Sequence, residues 1–238
     1  MLTGIRCWKS AFDAEIISAS QEPYSASKAG DKQTLLRRSL KRAFDVIGAA
    51  ILLALAAPII FLVTIAIALE GRPIFFGHQR VGRGNRTFSC LKFRTMVPNA
   101  EEKLAALLQA DPVLAAEWSA TQKLRLDPRV TAIGRILRAY SLDELAQLVN
   151  VIRGDMSLVG PRPVTAGELD RYYGAAAAEY AAVRPGLTGL WQVSGRSDAS
   201  FARRVALDTS YVRNFGFRND LRILLATPAA VLLRRGAC

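Results

Sequence analysis

The longest feature of the hydrophobic pattern is one uncharged run, residues 46–69, closed by Asp45 on one side and Glu70 on the other. As a helix rising ~1.5 Å per residue it would cross the ~30 Å apolar core of a bilayer. It starts too far from Met1, and lacks a small-residue cleavage site, to read as a secretory signal. Pro58 interrupts the run in Ala57-Pro58-Ile59. A mid-helix proline removes a hydrogen bond and kinks the chain. Two topologies follow: a single kinked span, or a helix that enters the bilayer, breaks at Ala57 and Pro58 and returns. Arg37, Arg38, Lys41 and Arg42 precede the run, and Arg72, Arg80, Arg83 and Arg86 follow it. Basic residues favour the cytoplasmic side, and only the re-entrant form keeps both clusters there. A buried core helix fits so long an uninterrupted run less well.

The remaining pattern is shorter and more broken. Residues 1–33 show no sustained period and read as a disordered tail. Residues 34–72 form a basic lead-in and the membrane helix, and 73–238 a second unit. The apolar runs 74–76 and 88–93 flank a glycine-rich turn at 81–85, which predicts a β-hairpin. Asn99 followed by Glu101 and Glu102 predicts a helix start, with Asp111-Pro112 ending it. Further helices are expected over 113–123, over 141–153 and over 201–214. Gly160-Pro161-Arg162-Pro163 and Arg184-Pro185-Gly186 read as loops. The apolar stretch 221–233 is short for a span and contains Pro228, so it reads as an interfacial helix.

Charge narrows the class of partner. The formal net charge is +12, which suits nucleic acid, an anionic membrane face or phosphorylated substrates. Three scattered cysteines, Cys7, Cys90 and Cys238, offer no disulfide framework. His78 is the only histidine, so most histidine-based metal or triad chemistry is excluded and carboxylates are left to carry any reaction.

Arg138-Ala139-Tyr140-Ser141-Leu142-Asp143-Glu144 is where such chemistry would sit. Its bland reading is a capping box, Ser141 with Glu144, and an aspartate favoured by the helix dipole. The same geometry suits a reaction: a helix start favours phosphate, and adjacent carboxylates can hold Mg²⁺. Arg135 and Arg138 can neutralise phosphate oxygens. A carboxylate there could attack phosphorus and split a transfer into two steps. Basic residues recur in nearby loops as Lys92, Arg94, Arg129 and Arg162, the last stiffened between Pro161 and Pro163. Two other classes compete. A membrane-anchored basic module would bind nucleic acid or anionic lipid through the same arginines. A glycoside hydrolase would need two carboxyls across a sugar, which adjacent Asp143 and Glu144 do not obviously supply.

Six segments together resemble the bacterial sugar transferase family, the small monotopic phosphoglycosyl transferases. They are Lys41-Arg42-Ala43-Phe44-Asp45, Lys92-Phe93-Arg94-Thr95-Met96, Asp127-Pro128-Arg129-Val130-Thr131, Ser141-Leu142-Asp143-Glu144-Leu145, Met156 through Pro163, and Arg184 through Val193. The resemblance implies an α+β, mainly helical fold: a re-entrant membrane helix, a compact cytoplasmic catalytic domain with a small β-hairpin, and interfacial amphipathic helices. It implies Asp143 as nucleophile and Glu144 as its partner on Mg²⁺. Arg138 would contact phosphate, and Pro161, Arg162 and Pro163 would lie near the nucleotide. The donor would be a UDP-sugar, with UDP-galactose favoured by the stretches around Trp191 and Leu158. The acceptor would be undecaprenyl phosphate in the inner membrane. Position alone, where the apolar helix would meet the headgroups, suggests Arg38, Lys41 and Arg42 at its phosphate. No nucleic acid partner is expected, and a homodimer is compatible.

Overall fold

The computed structural model describes residues 32–121, 124–194 and 200–232. The expected tail lies outside them, except that Lys32 and Gln33 already belong to the first helix. That helix, α1, runs Lys32–Leu69 and continues through Pro58. Only 11% of its most apolar stretch is buried, far less than a core helix would show. Ile51, Leu55, Ile59, Phe61 and Leu62 all face outward, so the middle of α1 calls for an apolar solvent.

Both flanks of that exposed middle pack on one body. Phe44, Ala49 and Leu53 join a cluster with Leu148, Val151, Leu158 and Ile223. Ile60, Val63 and Ile67 join a second with Phe93, Leu137 and Ala146. Leu145 packs against both. Polar pins hold each flank. Asp45 accepts hydrogen bonds from Lys41 Nζ (2.7 Å), Ser157 Oγ (2.8 Å) and the Leu158 amide (3.1 Å). At the other end Arg94 donates to the carbonyls of Ile67, Gly71 and Arg72, tying down the chain where it leaves α1.

The expected hairpin is present: β1 (Phe75–Val81) pairs antiparallel with β2 (Thr87–Phe93), in register from Phe75↔Phe93 to Val81↔Thr87. Asn150 satisfies the far edge of β2, accepting from the Leu91 amide and donating to the Ser89 carbonyl. Next come α2 (Ala100–Ala110) and α3 (Pro112–Thr121). Asp111 and Pro112 end the first and also start the second, since the Asp111 side chain accepts from the Val113 amide. The last residues expected in α3, 122 and 123, lie outside the described set. Helix α4 (Ala132–Ala139) has no counterpart in the sequence pattern; Thr131 caps it, accepting from the Gly134 amide. Gly134 is required there, because the Thr95 carbonyl occupies the place of a Cβ.

The single helix expected over 141–153 is two elements, a 3₁₀ turn (Leu142–Ala146) and α5 (Gln147–Arg153), which ends at Gly154 with φ 96°. The Ser141–Glu144 capping box is not formed: Ser141 is left-handed (φ 56°) and its side chain makes no cap bond. The chain reverses so sharply after α4 that Ser141 forms the bend and leaves no ordinary cap.

Two three-residue strands, β3 (Ser157–Val159) and β4 (Gly186–Thr188), pair in parallel. Between them lie α6 (Ala166–Tyr172), which carries a real capping box from Thr165 and Glu168, and α7 (Ala177–Ala181). Then follow α8 (Leu190–Ser194), α9 (Phe201–Arg213) and α10 (Phe217–Leu232). Helix α10 starts before the expected apolar stretch and runs through Pro228; Phe217, Leu221 and Leu225 on it are exposed.

Asp45→Ala removes a buried acceptor from three donors and is expected to cost on the order of 3 kcal/mol. The thermal midpoint of the detergent-purified protein should fall by several degrees, whereas exposed Glu101→Ala should leave it nearly unchanged.

Candidate active site

The site forms where β2 meets the 3₁₀ turn. Strand alternation buries Phe93 in the core and turns Lys92 to the other face. Lys92 Nζ there meets Asp143 Oδ2 at 3.2 Å and Glu144 Oε1 at 2.8 Å. One ammonium thus holds two adjacent carboxylates. Asp143 is buried, and its Oδ1 has no hydrogen-bond partner among the described residues.

The electrostatics of the pair are uneven. Burial pushes the Asp143 carboxyl above its usual range; the Lys92 ammonium opposes this, Glu144 adds to it and Arg138 draws it back. Burial works against the Lys92 charge as well, but Glu144 and Asp143 outweigh it and hold Lys92 more firmly protonated than usual. Arg138, from the last turn of α4, donates through Nε to Thr95 Oγ1 at 2.9 Å and lies close enough to feel Asp143 and Asp127. Arg129 makes three hydrogen bonds to Asp127, two from its guanidinium and one from its amide, and its guanidinium lies over Trp118. Burial opposes the Asp127 charge, yet those bonds hold its carboxyl below the usual range.

Arg162 lies on the loop that follows β3. The loop bearing it is fixed by backbone bonds from Gly160 to Thr188 and from Gly186 to Pro161. Gly160, Gly186 and Gly189 are in such close contact that no side chain fits at any of them. The Arg162 guanidinium lies 4.9 Å from the Trp191 ring centroid, and its charge is felt at Lys92. Pro161 is buried and Pro163 half-buried.

Lys92, Asp143, Glu144, Arg138 and Arg162 therefore converge, and other anticipated residues do not. Arg135 is exposed on α4. Arg94 is spent on the end of α1. Lys41 bridges Asp45 and Asp220 (3.0 Å), and Arg42 donates to the Val151 and Ile152 carbonyls at the end of α5. Ala57 and Pro58 lie in the exposed middle of α1. Sequence reasoning missed Thr95, which holds Arg138, and Trp191, which supports Arg162; Trp191 stands within one of the six family segments but carries no chemical signal of its own.

No group of three or more His, Cys, Asp or Glu gathers among the described residues. Mg²⁺ does not need one, since it keeps several waters and is commonly held by one or two carboxylates plus substrate phosphates. The open Oδ1 of Asp143 beside Glu144 fits that donor set.

The family model for bacterial sugar transferases matches residues 36–234, and the chain belongs to that family. It is 50% identical over 198 residues to the exopolysaccharide production protein ExoY of Rhizobium meliloti, covering 83% of this chain and 87% of that protein. It is 48% identical over 200 residues to the undecaprenyl-phosphate galactose phosphotransferase of Salmonella typhimurium, covering 84% of this chain but 42% of that protein. The UDP-glucose:undecaprenyl-phosphate glucose-1-phosphate transferase of Caulobacter vibrioides is 44% identical over 201 residues, 81% of this chain and 69% of that protein. The chain thus spans less than half the length of some relatives and most of others.

In a ¹³C carboxyl titration Asp143 should ionise above the ordinary value of 3.8. Lys92→Met removes the cation that lowers it, so the titration should move further up. An unchanged or lower midpoint in that variant would contradict the opposing roles of burial and Lys92 at this carboxyl.

Proposed function

We propose that the chain transfers a sugar 1-phosphate from a UDP-sugar to undecaprenyl phosphate, with Asp143 as nucleophile. The observation that carries the reading is the open Asp143 Oδ1, beside Glu144 and anchored through Oδ2 by Lys92, in a member of this family. Asp143 Oδ1 attacks the phosphorus that bears the sugar. The bond from that phosphorus to the bridging oxygen breaks, and UMP leaves with the electron pair. An oxygen of the lipid phosphate then attacks the same phosphorus, the bond to Asp143 breaks, and the lipid diphosphosugar is released. Lys92 keeps the carboxylate aimed, while Arg138 and Arg162 take up phosphate charge. Asp143 and Glu144 would hold Mg²⁺, which supplies charge neutralisation at the diphosphate.

The membrane part of the reading is that α1 is re-entrant, with both ends and the catalytic body on the cytoplasmic face of the inner membrane. Support comes from the two flanks of α1 packing on one body around an exposed apolar middle at Pro58. A straight span would carry one flank away from it. The lipid phosphate would then lie at the level of the site. Galactose is the favoured sugar, because ExoY-like and galactose-named relatives match over most of this chain, although the glucose-named relative also matches well.

Asp143→Asn is expected to reduce UMP release from UDP-galactose, Mg²⁺ and undecaprenyl phosphate by at least about a thousandfold. The folded-state pKa of Asp143 is raised, so ionising it costs stability as pH rises through its titration. Asparagine removes that cost, and the thermal midpoint of the variant at pH 7 should equal or exceed that of the wild type. Turnover close to wild type would sink the nucleophile assignment. The wild type tested against a panel of UDP-sugars should release UMP with one donor far faster than with the others, and no release with any donor would refute the transfer.

A further inference from the structure

Trp191 carries two guanidiniums. Arg162 lies 4.9 Å and Arg204 4.3 Å from its ring centroid, both inside the range of a cation–π contact. The two charges can be no further apart than the sum of those distances. Arg204, from α9, also stacks on Phe201 at 4.7 Å. Like charges this close repel, and burial together with Arg162 lowers the Arg204 pKa.

Neither guanidinium forms an ion pair or side-chain hydrogen bond among the described residues. Two carboxylates, Asp208 and Glu168, act on the pair from beyond ion-pair distance, and each has a closer partner. Glu168 accepts from Arg80 (2.9 Å), from the Thr165 amide and from the Thr165 hydroxyl. Asp208 accepts from the Tyr173 hydroxyl at 2.7 Å, and its other oxygen is buried without a partner. Burial raises the Asp208 pKa to about 7, against the pull of the Tyr173 hydroxyl, the Arg162 amide and the Arg204 and Arg162 charges. Arg204 Nε is also buried without a partner, which leaves its terminal nitrogens to make its hydrogen bonds.

Two half-buried guanidiniums over one ring, neither in ion-pair contact among the described residues, have the donor groups that a phosphate-bearing anion needs. The Arg162 charge is felt at Lys92, which puts the pair within electrostatic reach of the candidate site. We propose that Arg204 is a donor-binding residue: with Arg162, on the platform of Trp191, it holds the diphosphate of the nucleotide sugar. This rests on the transfer reading and adds to it the residue that grips the donor from the α9 side. Trp191 acts through the arginines and is a positioning residue.

The test uses the full chain in nanodiscs with Mg²⁺ and UDP as the probe, by calorimetry. Arg204→Gln should weaken UDP at least about tenfold and raise the donor KM to a similar extent. The kcat and the KM for undecaprenyl phosphate should change by less than about threefold. Trp191→Leu should weaken UDP as well, and Trp191→Phe, which keeps a ring, should restore much of the loss. UDP affinity within about twofold of wild type in a folded Arg204→Gln variant overturns the proposal. So does a change confined to the lipid KM, or an equal loss in kcat with the donor KM intact, as a purely structural role would give. If Arg204→Gln does not fold, Arg204→Lys replaces it: the charge stays and the planar stack goes, and unchanged UDP affinity again overturns the proposal. UDP binding is read without turnover. A chain that binds UDP through Arg204 but transfers no sugar refutes the transfer alone. A chain that transfers sugar with UDP affinity indifferent to Arg204 refutes this inference alone.

Discussion

One carboxylate ties the long apolar helix to the strand that leads to Arg162. Asp45 projects from α1 into the body, where Lys41, the Ser157 hydroxyl and the Leu158 amide converge on it. Lys41 carries the network to Asp220 on α10, and the Tyr211 hydroxyl of α9 lies within hydrogen-bond reach of both Asp220 and the Val159 carbonyl. Four elements therefore share one buried set of charges. Each ion out of water costs several kcal/mol, and removing one partner strands the others. Because β3 is pinned by this set, the Gly160–Pro163 loop that follows it is pinned too, and with it Arg162. The position of an arginine of the candidate site is thus referred back to a residue on the long apolar helix.

The site itself runs against local stability. Ser141 holds a left-handed conformation that costs a non-glycine residue about 1–2 kcal/mol. Asp143 is buried next to a second carboxylate. Lys92 and Arg138 offset much of that repulsion without cancelling it. Strain in the bend and charge in the turn lie within three residues of each other, and the packed α1, α4 and α5 around them hold the arrangement in place. A substrate phosphate would add hydrogen bonds to a site already short of partners.

Much of this was legible in the chain. The long apolar run, the hairpin around its glycine turn, and the helix boundary at Asp111-Pro112 all rest on local chemistry, and all are found. The pairing of Asp143 with Glu144 was legible too, because adjacency is a sequence fact. What was not legible depends on distant partners. Ser141 and Glu144 fit a capping box by spacing, but the bend after α4, tightened by Gly134 against Thr95, takes Ser141 out of it. β3 and β4 are three residues each and show no period. Lys41 and Arg42 read as free interfacial cations, whereas Asp220 and the carbonyls of Val151 and Ile152, far along the chain, claim them. Arg94 lies in a basic motif beside Lys92, yet its side chain turns to the end of α1 and only Lys92 reaches the carboxylates.

The Asp45 network also sets an order of assembly. Ser157 follows Asp45 by 112 residues, and Asp220 comes later still. Until those segments are made, the counter-charges within reach of Asp45 are on its own helix, Lys41 and Arg42 among them. The long apolar helix is therefore complete before most of its polar anchors exist. The network closes only when α10 has been made. A chain cut short before α10 would keep Lys41 and Asp45 but lack Asp220, and its junction would stay incomplete.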